Sequence, residues 1–405
     1  MSDRRFDRAH QPLWGGQTRW WVPGIRILAR RVTGAVLAGS LLMGACAVAE
    51  PTHPTAVYEG PLVPSIVPSV WAGSSTSAAR VSPEPGTPPP MPSAAEKENW
   101  RLGFSIAEPA DPATWGKQLG ASWYFDWNAR DAASPPGLTY WRTVRVGLEG
   151  VSPGLDTLSL LAARYPGSHW IVGNEPDVVW QDNVPADVYA ARYGEVYAAL
   201  KAADPSARVA VGAIAQVTPL RLQYLDQVLE AYQLAYGESL PADLWTVHMY
   251  VLPEVRDDWG IGIPPGFDVR QGLIFSIEDH DRLDLFEQQI MTFREWLARH
   301  GYREKPLVLT ELGILMYAEY GFTPDRVVAY LRSTFDVLVS LADPEIGMPG
   351  DGGRMVQQWA WFSLSYALYP TSNLADLDRG RLTPVGEAYR DYALALRGDL
   401  PGTDD

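Results

Sequence analysis

Asn174, Glu175 and Pro176 follow the apolar run HWIVG at 169–173, and a second apolar run, PLVLT at 306–310, ends at Glu311. A carboxyl group at the tip of each of two buried strands suits the cleavage of an acetal, such as the bond joining two sugars. One carboxylic acid protonates the departing oxygen, while the other carboxylate attacks or stabilises the anomeric carbon. Asp177 comes two residues after Glu175, where its type suits a helix start or an ordered loop better than a third catalytic role.

Both glutamates need a scaffold that brings together positions 136 residues apart in the chain. From about Glu98 onwards, strand-like and helix-like segments alternate. Strand-like runs occupy 101–106, 122–127, 142–147, 170–173, 208–213, 244–250, 307–310 and 356–362. Amphipathic spacing predicts helices over 155–165, 186–203, 220–236, 283–300, 324–341 and 384–396. Proline near the helix starts and Gly301 after a helix end are the expected punctuation. Eight strands, most followed by a helix, predict an α/β fold, a single (β/α)8 TIM barrel over residues 98–398. Active sites of such barrels lie at the C-terminal ends of the strands. The ends of the fourth and seventh strands place Glu175 and Glu311 on the same rim. The spacer over 251–281 is long for a strand-to-helix loop and is expected to reshape the cleft there.

Composition narrows the class of partner. The net charge is −15, yet residues 1–46 hold seven Arg against two Asp, a balance of +5, so the remainder carries −20. A body this acidic excludes nucleic acid and anionic polymers as natural partners. Sixteen Trp and 19 Tyr provide rings for packing and for stacking on neutral sugar faces. The six His show neither HExxH spacing nor any close pair, and no Walker-type loop or GxGxxG after a strand occurs. No metal and no organic cofactor are expected.

The N-terminal segments read as targeting and tether. Arg26, Arg30 and Arg31 precede an apolar stretch over 32–45, too short to span a bilayer comfortably, which is the layout of an export signal. LMGAC at 42–46 resembles the lipobox of bacterial lipoproteins, with Cys46, the chain's one cysteine, as the lipidated residue; AVA at 47–49 is a competing cleavage site. Residues 47–97 form a linker rich in Pro, Ser and Thr, with 11 of the 34 prolines between 47 and 96. Residues 399–405 form an acidic tail. The expected product is an exported monomer, either a cell-surface lipoprotein touching the membrane only through its anchor or a free extracellular protein.

Four stretches carry a family resemblance: GNEPD at 173–177, LTELG at 309–313, SWYFDW at 122–127 and QWAWFS at 358–363. Over roughly residues 100–398 the chain resembles the retaining (β/α)8 enzymes of glycoside hydrolase clan A, and most nearly the β-1,3-glucanases of glycoside hydrolase family 128. The resemblance implies Glu175 as acid/base, Glu311 as nucleophile, and Asn174 as donor to the substrate 2-hydroxyl. Thr246, His248 and Tyr250 alternate on one side of the sixth strand. Either His248 or Tyr250 could orient Glu311, and Tyr250 matches the clan's usual tyrosine. Trp361 is expected as the platform beneath the cleaved sugar, with Trp359 filling the barrel. Trp123, Trp127 and Trp180 are expected as further sugar contacts. The implied activity is hydrolysis of a β-linked polysaccharide, a β-1,3-glucan first. The alternatives are β-1,4-glucan, mannan or galactan as substrate, or a noncatalytic sugar-binding lipoprotein.

Overall fold

Eight parallel strands close into a ring in the computed structural model, which describes residues 98–397. They are β1 (Leu102–Ser105), β2 (Trp123–Phe125), β3 (Thr139–Gly147), β4 (His169–Asn174), β5 (Arg208–Ala213), β6 (Leu244–His248), β7 (Leu307–Leu312) and β8 (Gln358–Trp361). Each pairs in parallel with its neighbours in sequence, and β1 pairs with β8 to complete the barrel. Seven helices lie among the described residues: α1 (Pro112–Leu119), α2 (Leu155–Arg164), α3 (Ala186–Ala203), α4 (Pro219–Tyr236), α5 (Leu283–Arg299), α6 (Pro324–Ser340) and α7 (Pro384–Arg397). The fold is thus the (β/α)8 barrel that the strand–helix alternation predicts. The export segment 1–46 with Cys46, the linker 47–97 and the acidic tail 399–405 lie outside the described residues.

Helix ends follow local chemistry. Thr218 accepts a hydrogen bond from the Arg221 amide ahead of Pro219, and Gly237 closes α4 in the left-handed conformation. Asp111 and Gly120 frame α1 in the same way. That helix is absent from the periodicity reading because it has only eight residues and includes Gly116 and Pro112. Between β2 and β3 no helix forms, and β3 begins three residues earlier than expected. Its far end folds back through an antiparallel pairing of 145–147 with Gly150–Ser152, making a hairpin that stands above the rim.

The barrel interior is a small apolar stack. Trp123, Phe125, Trp141, Ile171, Ala210, Leu244, Val308 and Ala360 come from seven of the strands. The eighth, β1, contributes Gly103, where a Cβ would lie 2.3 Å from the Trp123 indole. Trp123 is 1% exposed, packs on Trp141 at a ring separation of 4.6 Å, and donates its indole N–H to the Arg101 carbonyl. It fills the barrel floor, and the expectation of a sugar contact there is corrected.

Trp361 is corrected too. It is fully buried between strand and helix, with Tyr330 and Phe335 of α6 against its ring and its indole N–H on the Ser372 carbonyl. Trp359, expected to fill the barrel, faces the same outer layer instead, against Phe335. Ala360 is the residue pointing inward, so Phe362, two residues on, occupies the place expected of Trp361. A barrel strand is apolar on both faces, so QWAWF carries no signal of which set points in.

Because Gly103 makes room for Trp123, Gly103→Ala is expected to lower stability by about 1–3 kcal/mol through overpacking. Urea denaturation midpoints would check this, and an unchanged midpoint would mean that the floor is loosely packed.

Candidate active site

The fourth strand ends in a turn built by Asp182. Its carboxylate accepts the backbone N–H of Asn174 at 2.8 Å and of Val146 at 3.0 Å, and pairs with Arg145 Nε at 2.5 Å. With the chain held on both sides, Glu175 adopts φ +44°, a left-handed conformation that costs a non-glycine residue about 1–3 kcal/mol. Its N–H donates to the Ala213 carbonyl at 2.9 Å and its carbonyl accepts from Val178 at 3.0 Å. The result turns a buried carboxylate, 4% exposed, into the mouth of the barrel. Asn174 lies beside it with its amide donating to Gln181 Oε1 at 3.3 Å.

Glu311 reaches the same point through an irregular strand. In β7, Leu309 pairs with Val247 and Glu311 with His248, so Thr310 is an extra residue at a bulge. Val308 points into the barrel; strict alternation would send Thr310 inward and Glu311 outward. The bulge reverses that parity and aims Glu311 inward. There Glu311 Oε2 accepts from the Tyr250 hydroxyl at 2.9 Å and Oε1 from the Trp127 indole N–H at 2.8 Å.

His248 stands between the two carboxylates. Nδ1 lies 2.8 Å from Glu175 Oε1, and Nε2 lies 3.5 Å from Glu311 Oε1. The expected histidine contact to Glu311 is therefore the weaker of its two, and its hydrogen bond goes to Glu175. Burial alone would depress His248, but the carboxylates of Glu311 and Glu175 outweigh it and hold the imidazole above its ordinary value. For Glu311, burial is the largest influence and pushes the carboxyl up. His248 opposes it, Glu175 reinforces it, and the Trp127 and Tyr250 donors pull back towards the anion. Burial and then the Glu311 charge raise Tyr250 far above a usual phenol, so it stays protonated and donates. His280 gives the contrast: Nδ1 faces the Val251 carbonyl at 3.0 Å and Nε2 accepts from Leu315 N–H at 2.9 Å. One donor and one acceptor make it a neutral structural imidazole, and burial takes it down to about 4.

One ligand atom from each of Glu175, His248 and Glu311 lies within 4.8 Å of the other two, the one such group among the described residues. Two carboxylates and an imidazole could hold a divalent cation, and the same three donors can equally share a proton.

Trp127, expected as a sugar contact, is half-buried at φ +54° and bonds the candidate nucleophile itself. Trp180 lies in the loop after Glu175 and is 39% exposed. Sequence reasoning missed Phe362, whose ring packs edge-on to Trp127 and Tyr250. It also missed Tyr369, raised chiefly by burial and to a smaller degree by nearby Tyr317, Tyr366 and Glu175. Both lie in or after the QWAWFS motif at 358–363, where a correct inward parity would have pointed to Phe362.

A second buried node underpins the mouth. Arg221 of α4 pairs with Asp177 and lies 2.9 Å from Glu254 Oε1, all three with fully buried side chains. Its other N–H groups donate to the carbonyls of Asp177, Ile261 and Gly262. Glu254 also accepts from the Thr218 hydroxyl and the Leu273 amide. One guanidinium thus ties the Glu175 loop to the long β6–α5 excursion. Asp177 is the loop-ordering residue its position suggested, and nothing in the spacing of Arg221 betrayed its role.

No family model matches the chain, and no curated protein matches its sequence. Among solved structures it is similar to a GH128 (subgroup I) endo-β-1,3-glucanase from Amycolatopsis mediterranei in complex with laminaritriose. Identity is 19%, coverage is 72% of this chain and 99% of that one, and the TM-score is 0.50. A GH128 (subgroup II) endo-β-1,3-glucanase from Pseudomonas viridiflava gives 19% identity, coverage of 72% and 96%, and a TM-score of 0.50. At this identity the likeness is one of fold.

Removing the Arg221 charge leaves two buried carboxylates uncompensated. Arg221→Met is therefore expected to destabilise the protein by about 3–5 kcal/mol, read by urea denaturation; a loss below about 1 kcal/mol would contradict the node. His248 gives a linkage prediction of definite sign. Its folded pKa is raised, so its stabilisation is full below its ordinary value of 6.5 and is lost as pH rises through the folded value. The stability difference between the native protein and His248→Gln should shrink as pH rises above 6.5. A difference that grew with pH would mean that the imidazole is neutral.

Proposed function

We propose that the protein is an exported retaining β-glycanase that hydrolyses a β-linked glucan, first of all by internal cleavage of β-1,3-glucan. The observation that carries this reading is the buried pair Glu175 and Glu311, converging on one rim with carboxylate oxygens within 4.8 Å. Retaining pairs stand about 5–5.5 Å apart and inverting pairs about 6.5–9.5 Å, because an inverting pair must admit a water molecule. This spacing favours direct attack.

Glu311, with donors on both oxygens, is suited to be the anionic nucleophile. One oxygen attacks the anomeric carbon as the bond to the leaving oxygen breaks, and the Glu175 proton passes to that oxygen. Glu175, now a base, takes a proton from water, whose oxygen displaces Glu311 from the glycosyl ester and restores both groups. His248, bonded to Glu175 and near Glu311, is placed to compensate negative charge as the proton moves between steps. Asn174 beside Glu175 offers an amide to the 2-hydroxyl, and Phe362 and Trp127 offer apolar ring surface. The choice of β-1,3-glucan draws on the two solved glucanases of like fold, one of them in complex with laminaritriose. Export, with Cys46 as the lipid-bearing residue, draws on the basic start, apolar core and LMGAC end of residues 26–46. Mass spectrometry of the membrane-fraction N-terminus would test it, and an unmodified or uncleaved Cys46 would contradict lipidation.

Reducing-sugar release from β-1,3-, mixed-linkage and β-1,4-glucan, mannan and galactan tests the activity. Release from β-1,3-glucan is expected, with Glu311→Gln at least about 10³-fold slower. Glu175→Gln should lose about 10²–10⁴-fold on polymer but recover much of the first step on an aryl glycoside, whose leaving group needs no proton. Initial products should keep the β configuration by NMR. Inverted product would refute the double displacement, and silence on every polymer would refute the hydrolase.

A further inference from the structure

An open groove of about 750 Å³ lies between two loops that also hold Asn174, and neither glutamate lines it. One wall is the hairpin that ends β3, with Arg145, Leu148 and Glu149; the other is the loop after β4, with Val179, Gln181 and Asn183. The groove adjoins the reaction centre through single residues. Gln181 accepts the hydrogen bond from the Asn174 amide, and Asp182, also in the lining, holds the Asn174 backbone. The groove is therefore one side chain removed from Asn174, the chain neighbour of Glu175.

The chemistry of the walls selects the occupant. Leu148 is 59% and Val179 44% exposed, apolar surface suited to C–H faces. Gln181, Asn183, Glu149 and Arg145 supply donors and acceptors suited to hydroxyls. The one cation, Arg145, is already paired with Asp182, and the groove also holds Glu149, so an anionic ligand finds no free positive charge there. Trp180, between Val179 and Gln181 in the chain, is more than a third exposed and gives the same loop an aromatic surface. The volume falls within the range of about 300–1,000 Å³ typical of ligand sites, which is more than one sugar needs.

We propose that this groove holds further sugar units of the same neutral polysaccharide, so that the preference for long chains resides in the β3 hairpin and the β4–α3 loop. The inference rests on the hydrolase reading and adds where the rest of the chain lies. Filling the groove should penalise long substrates selectively. Val179→Trp on one wall and Leu148→Trp on the other use exposed side chains outside the hydrogen-bond network around Glu175 and Glu311. Each should lower the ratio of kcat/KM on a β-1,3-linked glucose hexasaccharide to that on the trisaccharide by about tenfold, or about 1.4 kcal/mol, with an unchanged thermal midpoint. The full chain is assayed throughout. If the native protein cleaves neither substrate nor any polymer, the hydrolase reading fails and takes this inference with it. If it cleaves both and the ratio is unmoved in both folded variants, this inference alone is overturned.

Discussion

Two carboxylates share a desolvated pocket at the mouth of a barrel, and much of the surrounding structure answers the repulsion between them. At an effective dielectric of about 20, two unit charges less than 5 Å apart repel by roughly 3 kcal/mol or more. The protein meets this with directed donors: Tyr250 and Trp127 on Glu311, and His248 on Glu175 with its other nitrogen turned towards Glu311. His248 is the residue through which the two acids are coupled. Its partners on both sides are carboxylates, while His280 in the same barrel faces a carbonyl and an amide. The partners make one histidine a proton holder and the other a neutral brace.

Precision at that pocket is supplied from outside it. Asp182 fixes the end of β4 against β3, which is what allows Glu175 its left-handed backbone. Arg221 holds the next turn of the same loop and the base of the β6–α5 excursion. Below, the interior stack headed by Trp123 and Trp141 forms a rigid floor. The Glu175 loop, the Glu311 strand and the floor are thus each tied to a different part of the barrel wall, so that neither glutamate depends on a free loop for its position.

The strand count, the strand–helix order and the rim location of both glutamates were legible because they depend on local patterning: apolar runs, amphipathic spacing, and proline or glycine at the ends. Short α1 was not legible, whereas no helix was read between β2 and β3 and none forms there. Eight residues with an internal glycine carry too little periodicity. Alternation also succeeded in β6, where Thr246, His248 and Tyr250 were read on one side and His248 and Tyr250 both reach the glutamates. It failed in β8, where Trp359 and Trp361 alternate with Ala360 and Phe362 on a strand buried from both sides, and the expected platform Trp361 packs under α6 instead.

The sequence by itself determined which residues could do chemistry and that one barrel rim would carry them, because residue type and strand order are written in the chain. Only the tertiary structure decided which way those residues face. The bulge at Thr310 turns Glu311 inward against the strict alternation of its strand. Phe362 rather than Trp361 meets Trp127 and Tyr250, and Trp123 sinks into the space that Gly103 leaves open. Arg221, Asp177 and Glu254 meet from three separate segments. Strand parity, bulges and buried ion pairs depend on contacts between residues tens of positions apart, and such contacts exist only once the barrel has closed.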